Sequence, residues 1–233
     1  MLYDLTSVRA NIRNREGKRV FFLGEKDTLT PSARDWLQSQ RIEIRPGSEA
    51  KISEYTLPGG ESTSEKAEHM THLRGNILVP KNSPIIEFRG AMDTLQAEIL
   101  QAQLAVAPKI RLQLEEILTL ARNILRWEVM EEVASLDTLC GLTQEQLRSH
   151  SHFPQNYYGQ THFMPRWSDG PALLQLNRVR CAARNAELAA ARAFCNGEGC
   201  TRPDILQLLN RMSSMLYILM IQLKAKGGRH GSV

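Results

Sequence analysis

Two long segments near the C-terminus combine strong apolar faces with a polar stripe, and that combination most restricts the folds open to this chain. The first runs Asn177-Arg-Val-Arg180-Cys-Ala-Ala-Arg184-Asn-Ala-Glu187. The second runs Arg202-Pro-Asp-Ile-Leu-Gln-Leu-Leu-Asn210-Arg-Met-Ser-Ser214-Met-Leu-Tyr217. Residues three and four apart share a helix face. Asn177, Arg180, Arg184 and Glu187 therefore form one stripe, and Asn210, Ser213, Ser214 and Tyr217 another. Beside them lie apolar faces made by Leu173, Leu174, Leu176 and Val179, and by Leu206, Leu209, Leu216, Leu219 and Met220. Polar groups turned towards a bundle interior or a subunit seam are costly unless something pairs with them. Two Arg and one Glu in such a stripe suit an anionic ligand such as a nucleoside triphosphate.

The chain has 233 residues, of which 42% are hydrophobic, enough for one large domain or a main domain with an appendage. The net charge of +4 is spread without a Lys/Arg block, which argues against nucleic acid. The longest apolar run, Met215 to Ile221, is far too short to span a membrane. The first 20 residues are charged throughout, unlike a secretory signal. Cys140, Cys181, Cys195 and Cys200 have no CxxC spacing, although Cys195 and Cys200 flank a Gly-rich turn. Reduced thiols in a cytoplasmic protein are the expectation.

Residues 1–50 read as a small α/β appendage. Arg19-Val-Phe-Phe-Leu23 is a buried-strand pattern, Thr30-Pro31 opens a helix, and Arg41-Ile-Glu-Ile-Arg45 alternates like a second strand. Residues 51–68 read as a flexible linker and 69–87 as an ordered but irregular segment. Residues 69–226 are predicted to form a helix bundle, with long helices over about 86–106, 109–135, 171–195 and 203–225. A shorter helix near 143–149 opens with a capping box at Thr143 and Gln146. A His-, Tyr-, Phe- and Pro-rich loop fills 150–170, and 227–233 reads as a disordered tail.

Several blocks together carry a family resemblance. They are Thr71-His-Leu, Leu78-Val-Pro-Lys81-Asn-Ser-Pro84, Phe88-Arg89-Gly-Ala-Met-Asp93, Ser151-His152-Phe-Pro, His162-Phe163-Met-Pro165, the Arg180/Arg184/Glu187 stripe, and Leu209-Asn210-Arg-Met-Ser-Ser214. Over roughly residues 28–225 they resemble the ethanolamine-utilization cobalamin adenosyltransferases. The resemblance implies a mainly α fold, a five-helix bundle behind a small N-terminal α/β appendage. It implies an ATP:cob(I)alamin adenosyltransferase that uses Mg2+ and makes adenosylcobalamin, releasing triphosphate. It also implies a homotrimer with active sites between subunits. Ethanolamine ammonia-lyase and a flavin reductase are the expected protein partners, in the cytoplasm or with a bacterial microcompartment. The rival readings are a non-catalytic corrinoid carrier and a microcompartment adaptor that uses 28–45 as a targeting helix.

The resemblance places ATP on Arg180, Arg184, Glu187 and Asn210, with Lys81, Arg89 and Asp93 as further ATP-binding candidates. The plain alternatives are an Arg184–Glu187 pair within one helix, an Arg89–Asp93 surface pair, and a solvated Lys81. Phe163 is the candidate for the lower face of the corrin, where an apolar wedge expels the axial ligand. Phe153 and Trp167 are alternatives for that place. Phe163 and Arg184 are the expected catalytic residues. Two departures from the family pattern stand out. Ser214 occupies a position where the wider group has Asp, and a Gly-rich N-terminal phosphate loop is missing. No Cys falls within 46–68, where some ethanolamine-type members carry a metal-binding Cys cluster, so no structural metal site is expected. His69, His72, His150, His152 and His162 read as hydrogen-bonding or capping groups, and Met212, Met215 and Met220 as core.

Overall fold

The structure, a computed structural model, describes residues 1–15, 17–49 and 55–227. They divide into two compact units: Met1–Ile86 with Val129–Glu131, and Glu87–Glu128 with the chain from Glu132 onward.

The first unit is α/β. Short strand β1 (Leu2–Tyr3) leads to helix α1 (Leu5–Ala10), capped by the Asp4 carboxylate at the Ser7 N–H, 2.8 Å away. Strand β2 (Arg13–Arg15) pairs antiparallel with β3 (Lys18–Leu23). Strand β4 (Thr28–Leu29) pairs with β1. Helix α2 (Pro31–Ser39) then crosses over to β5 (Glu43–Pro46), which lies parallel to β3. As expected, Thr30 caps α2 and Pro31 opens it, where its missing N–H loses nothing. Val8, Phe21, Leu29, Ala33, Leu37 and Ile42 bury one small core between these elements.

The expected linker and irregular segment are instead a second sheet. Strands β6 (Tyr55–Thr56), β7 (Ser62–Thr63), β8 (Met70–Arg74) and β9 (Ile77–Pro80) assemble in the order β7-β6-β9-β8. The strands are short and carry no shared alternation, and a long-range polar clasp ties β6 and β9 to β2. The buried Asn76 side chain accepts the Asn14 N–H at 2.7 Å and donates to the Asn14 carbonyl at 3.0 Å. The Thr56 N–H donates to the Asn76 carbonyl at 2.9 Å. Gly75 makes this approach feasible: it has a φ of +51°, and an added Cβ would sit 2.0 Å from the Ile12 carbonyl oxygen. Residues 51–54 of the expected linker, and 228–233 of the expected tail, lie outside the described residues.

The second unit is helical. Helices α3 (Pro84–Gln103, whose first turn belongs to the first unit) and α4 (Pro108–Val129) form one pair. The hairpin β10 (Thr138–Leu139) and β11 (Leu142–Thr143) precedes α5 (Gln144–His152), which has both hydrogen bonds of its capping box. Next come α6 (Pro154–Tyr158), within the expected loop, then α7 (Pro171–Phe194), hairpin β12 (Cys195–Asn196) and β13 (Gly199–Cys200), and α8 (Pro203–Gly227). Helix α4 stops short of the expected residue 135. Glu131 takes a φ of 54°, and the Glu132 N–H turns back to the Trp127 carbonyl at 2.9 Å, closing the helix in a Schellman turn without glycine.

Helices α7 and α8 make the centre of this unit. Val179, Ala182, Ala183, Ala186, Ala189 and Ala190 of α7 are buried, and so are Leu209, Met212, Met215, Leu216, Leu219 and Met220 of α8. Small alanines let a helix partner with bulky side chains approach closely. Leu174, read from sequence as part of the apolar face, is exposed. The expectation of reduced thiols fails for Cys195 and Cys200, which form a disulfide across the β12–β13 hairpin with their Cα atoms 4.0 Å apart. The Asn196 side chain takes the N–H groups of Glu198 and Gly199, tightening the turn that brings the cysteines opposite each other. Cys140 and Cys181 are free.

Replacing Asn76 with Ala strands the part-buried Asn14 backbone groups. The variant should lose about 1–3 kcal/mol of stability, seen in denaturant unfolding, with hydrogen-exchange protection falling in the first unit first.

Candidate functional site

The two polar stripes read from sequence meet. With α7 and α8 side by side, Arg180 and Arg184 face Asn210, Ser213, Ser214 and Tyr217 across a cleft of about 400 Å³. Ser151 and His152 at the end of α5, and His162 from the loop before α7, close its remaining side.

The local hydrogen bonds decide what each group has left to offer. Glu187 does not pair with Arg184; its carboxylate accepts from the Asn210 side-chain amide at 3.0 Å. Arg184 is exposed, and among the described residues it has no hydrogen-bond or ion-pair partner. Arg180 donates to the Asn177 side-chain oxygen at 3.2 Å, a neutral partner, and lies 5.9 Å above the Tyr217 ring. Among the described residues no carboxylate neutralises either guanidinium. Burial, and then Arg148, hold the nearby Arg211 guanidinium below its usual value, while Glu187 opposes them. The cleft is therefore electropositive, with donors arranged as forks that suit phosphate oxygens.

The loop 159–170 owes its place to a chain of aromatic and ionic contacts. His162 Nδ1 is 2.9 Å from the Tyr217 hydroxyl, and its Nε2 is 3.1 Å from the His152 carbonyl. Phe163 is half-buried and stacks on Tyr217 at 6.3 Å, with the Lys224 ammonium 5.8 Å from its ring. Lys224 is paired with Asp169, which also accepts the Arg166 N–H at 2.7 Å. Phe153 is 61% exposed at the end of α5, and Trp167 is 88% exposed.

The remaining candidates lie away from the cleft lining. Arg89 makes a two-pronged ion pair with Glu128, at 2.8 and 3.1 Å, and Glu128 is buried. It thus joins α3 to α4 rather than pairing with Asp93, which is exposed. Lys81, in the first unit, is paired with Glu68 at 2.9 Å. Ser151, His152 and His162 join the cleft only through tertiary contacts, whereas Tyr217 is legible in the α8 stripe. Ser214 donates to the Asn210 carbonyl one turn back, at 3.1 Å. Among the described residues no three His, Cys, Asp or Glu side chains group as a metal site, and no helix is long and apolar enough to cross a membrane.

The family model for cobalamin adenosyltransferase matches residues 61–223, which include every residue lining this cleft. The chain belongs to the cobalamin adenosyltransferase family. It is similar to the corrinoid adenosyltransferase EutT of Salmonella typhimurium, with 31% identity across 95% of this chain and 91% of the relative. It is also 31% identical to the corrinoid adenosyltransferase EutT of Escherichia coli K12, across 92% of this chain and 89% of that protein. The activity of this family member is accordingly corrinoid adenosylation.

The Lys224 ammonium and the Arg166 N–H hold the Asp169 carboxyl below its usual value. A carboxyl depressed in the folded state contributes stability above its unfolded pKa and loses it as pH falls through the folded value. The Asp169 anchor should therefore persist through neutral and mildly acidic pH and release only below about pH 4. Carboxyl-carbon NMR of Asp169 would show this as a titration midpoint below that of a free aspartate. Asp169→Asn should remove the pH-dependent loosening of the Phe163 loop.

Proposed function

We propose that the helix cleft transfers the 5′-deoxyadenosyl group of ATP to the cobalt of cob(I)alamin, releasing triphosphate. The observation that carries this reading is the pair of guanidiniums, Arg180 and Arg184, that line the cleft with no carboxylate partner among the described residues. In the reaction the electron pair of Co(I) forms the bond to C5′. The C5′–O bond breaks and its electrons leave with the triphosphate, so cobalt rises by two oxidation levels. The leaving group carries all the developing charge, and catalysis needs donors fixed where that charge builds up. Arg180 and Arg184 take that role, and Asn210 fixes Glu187 beside them. Mg2+ binds through phosphate oxygens with one or two carboxylates, and Glu187, held in place by the Asn210 side-chain amide, fits as the protein ligand.

Phe163 and Phe153 face the corrin in this reading. An apolar ring at the lower face removes water and an axial ligand, which eases formation of the Co(I) nucleophile. Lys81 and Asp93 complete the ATP site from a neighbouring copy, with Arg89 tying the Asp93 helix to Glu128, in a homotrimer whose active sites lie between subunits; the exposed, one-sided cleft supports this. The product serves an ethanolamine ammonia-lyase, with electrons delivered by a flavin reductase, in the bacterial cytoplasm or a microcompartment.

Under anaerobic conditions, with chemically reduced cobalamin, Mg2+ and ATP, the visible spectrum should change from cob(I)alamin to adenosylcobalamin. Arg184→Ala should lower kcat/KM for ATP by about 10²-fold while corrinoid binding persists. An unchanged rate in Arg184→Ala would remove the triphosphate from this stripe. Light scattering of the purified chain should give the mass of a trimer.

A further inference from the structure

The first unit contains a second cavity, of about 340 Å³, remote in sequence from the α7 and α8 stripes. Four guanidiniums line it, from Arg9, Arg13, Arg19 and Arg74, and Glu131 is the one carboxylate among the lining residues. Glu131 is shared: Arg74 pairs with it, and Arg19 lies 3.4 Å from it. Among the described residues one carboxylate, Glu131, stands against Arg13, Arg19 and Arg74, which leaves a positive excess in a small space. Arg13 is half-buried and, among the described residues, its guanidinium has no hydrogen-bond or ion-pair partner. The Arg74 Nε and the Asn14 side-chain oxygen are buried with no hydrogen-bond partner. A half-buried guanidinium and two stranded polar atoms cost free energy unless a ligand uses them.

The rest of the lining is largely apolar. Ile12, Leu73, Ile77 and Met130 form it, and Trp36 presents its ring, with Arg9 at 4.8 Å from the ring centroid. Ligand pockets are commonly of about 300–1,000 Å³, mostly apolar with a few converging polar groups. This cavity is at the small end of that range, too small for a corrinoid. Planar guanidinium forks select phosphate or carboxylate oxygens, and the apolar wall with its indole receives a flat organic body. Arg9, Arg13, Arg19 and Trp36 all precede the residues that the family model matches.

We infer that this cavity binds a small organic phosphate of the nucleoside mono- or diphosphate class, separately from the helix cleft. The phosphate takes Arg13 and the free edge of Arg74, and the base lies along Ile12, Leu73 and Ile77. The nucleotide thereby bridges the β2–β3 sheet and the β8–β9 hairpin of the first unit, and stabilises that unit when bound.

Calorimetric titration of the full chain with ADP tests this, using pyrophosphate and adenosine as head-only and body-only probes. The wild-type chain should bind two ADP per chain, and Arg184→Ala should retain one of them. In the Arg184→Ala background, Arg13→Gln should weaken the remaining site about tenfold or more. Glu131→Gln, which removes the competing carboxylate, should tighten it. Pyrophosphate and adenosine should each bind it more weakly than ADP. Arg19→Ala, an exposed change that spares the core, guards against a folding artefact and should weaken ADP in the same sense. No ADP binding in Arg184→Ala would overturn the inference and leave the cleft reading intact. Binding insensitive to Arg13→Gln, Arg19→Ala and Glu131→Gln would also overturn it. One site lost with Arg13→Gln and none with Arg184→Ala would support the cavity and count against ATP at the cleft.

Discussion

The close pairing of α7 with α8 is the constraint on which the helix cleft depends. Its chemical basis is an alanine face on one helix and a Leu/Met face on the other. Small side chains on α7 let the axes approach, and the unbranched methionines fill the irregular gaps left between them. Once that apolar seam is fixed, helical periodicity leaves no freedom in where the polar stripes go. Arg180 and Arg184 must flank the seam on one side, and Asn210, Ser214 and Tyr217 on the other. A larger residue at Ala183 or Ala186 would part the helices and widen the cleft at the same time.

Arginine serves three different ends in this chain, and the partner decides which. Arg89 meets a buried carboxylate and becomes a structural tie, because Glu128 would otherwise be an uncompensated charge in an apolar setting. Arg202 is spent on Asp204 and on the Glu132 carbonyl, pinning the turn after α4 to the start of α8. Among the described residues the Arg184 guanidinium meets no partner, and neither does that of Arg13 in the first unit. A guanidinium left unpaired at a concave surface is available for an anion from solution. The same residue type therefore marks scaffold or site according to whether a carboxylate lies within reach.

The Phe163 loop follows the same logic. Its own sequence has little regular structure, yet stacking on Tyr217 and the Asp169–Lys224 pair fix it to α8. Because α8 also carries Asn210 and Ser214, one helix registers the loop and the cleft together. Any shift of α8 along α7 would move the guanidiniums and the Phe163 ring by different amounts. That coupling favours a rigid site, as a reaction governed by distance and alignment requires.

The sequence by itself determined the elements whose signals are local. The four long helices, the Thr30 and Thr143 caps, the α/β character of the first 50 residues and the two polar stripes follow from periodicity and capping chemistry. Family membership was legible in the spaced blocks from Thr71 to Ser214. Tertiary structure alone decided the four-stranded sheet over Tyr55–Pro80, because its strands are held by the Asn76 clasp across more than 60 residues of chain, as from Asn14 to Asn76. It alone decided that α4 ends at a Schellman turn on Glu131, where a non-glycine residue takes the left-handed conformation. It also settled which carboxylate each arginine finds, turning Arg89 towards Glu128 and Glu187 towards Asn210. Pairing choices of this kind depend on distances between elements far apart in the chain, and helical or strand periodicity carries no information about those distances.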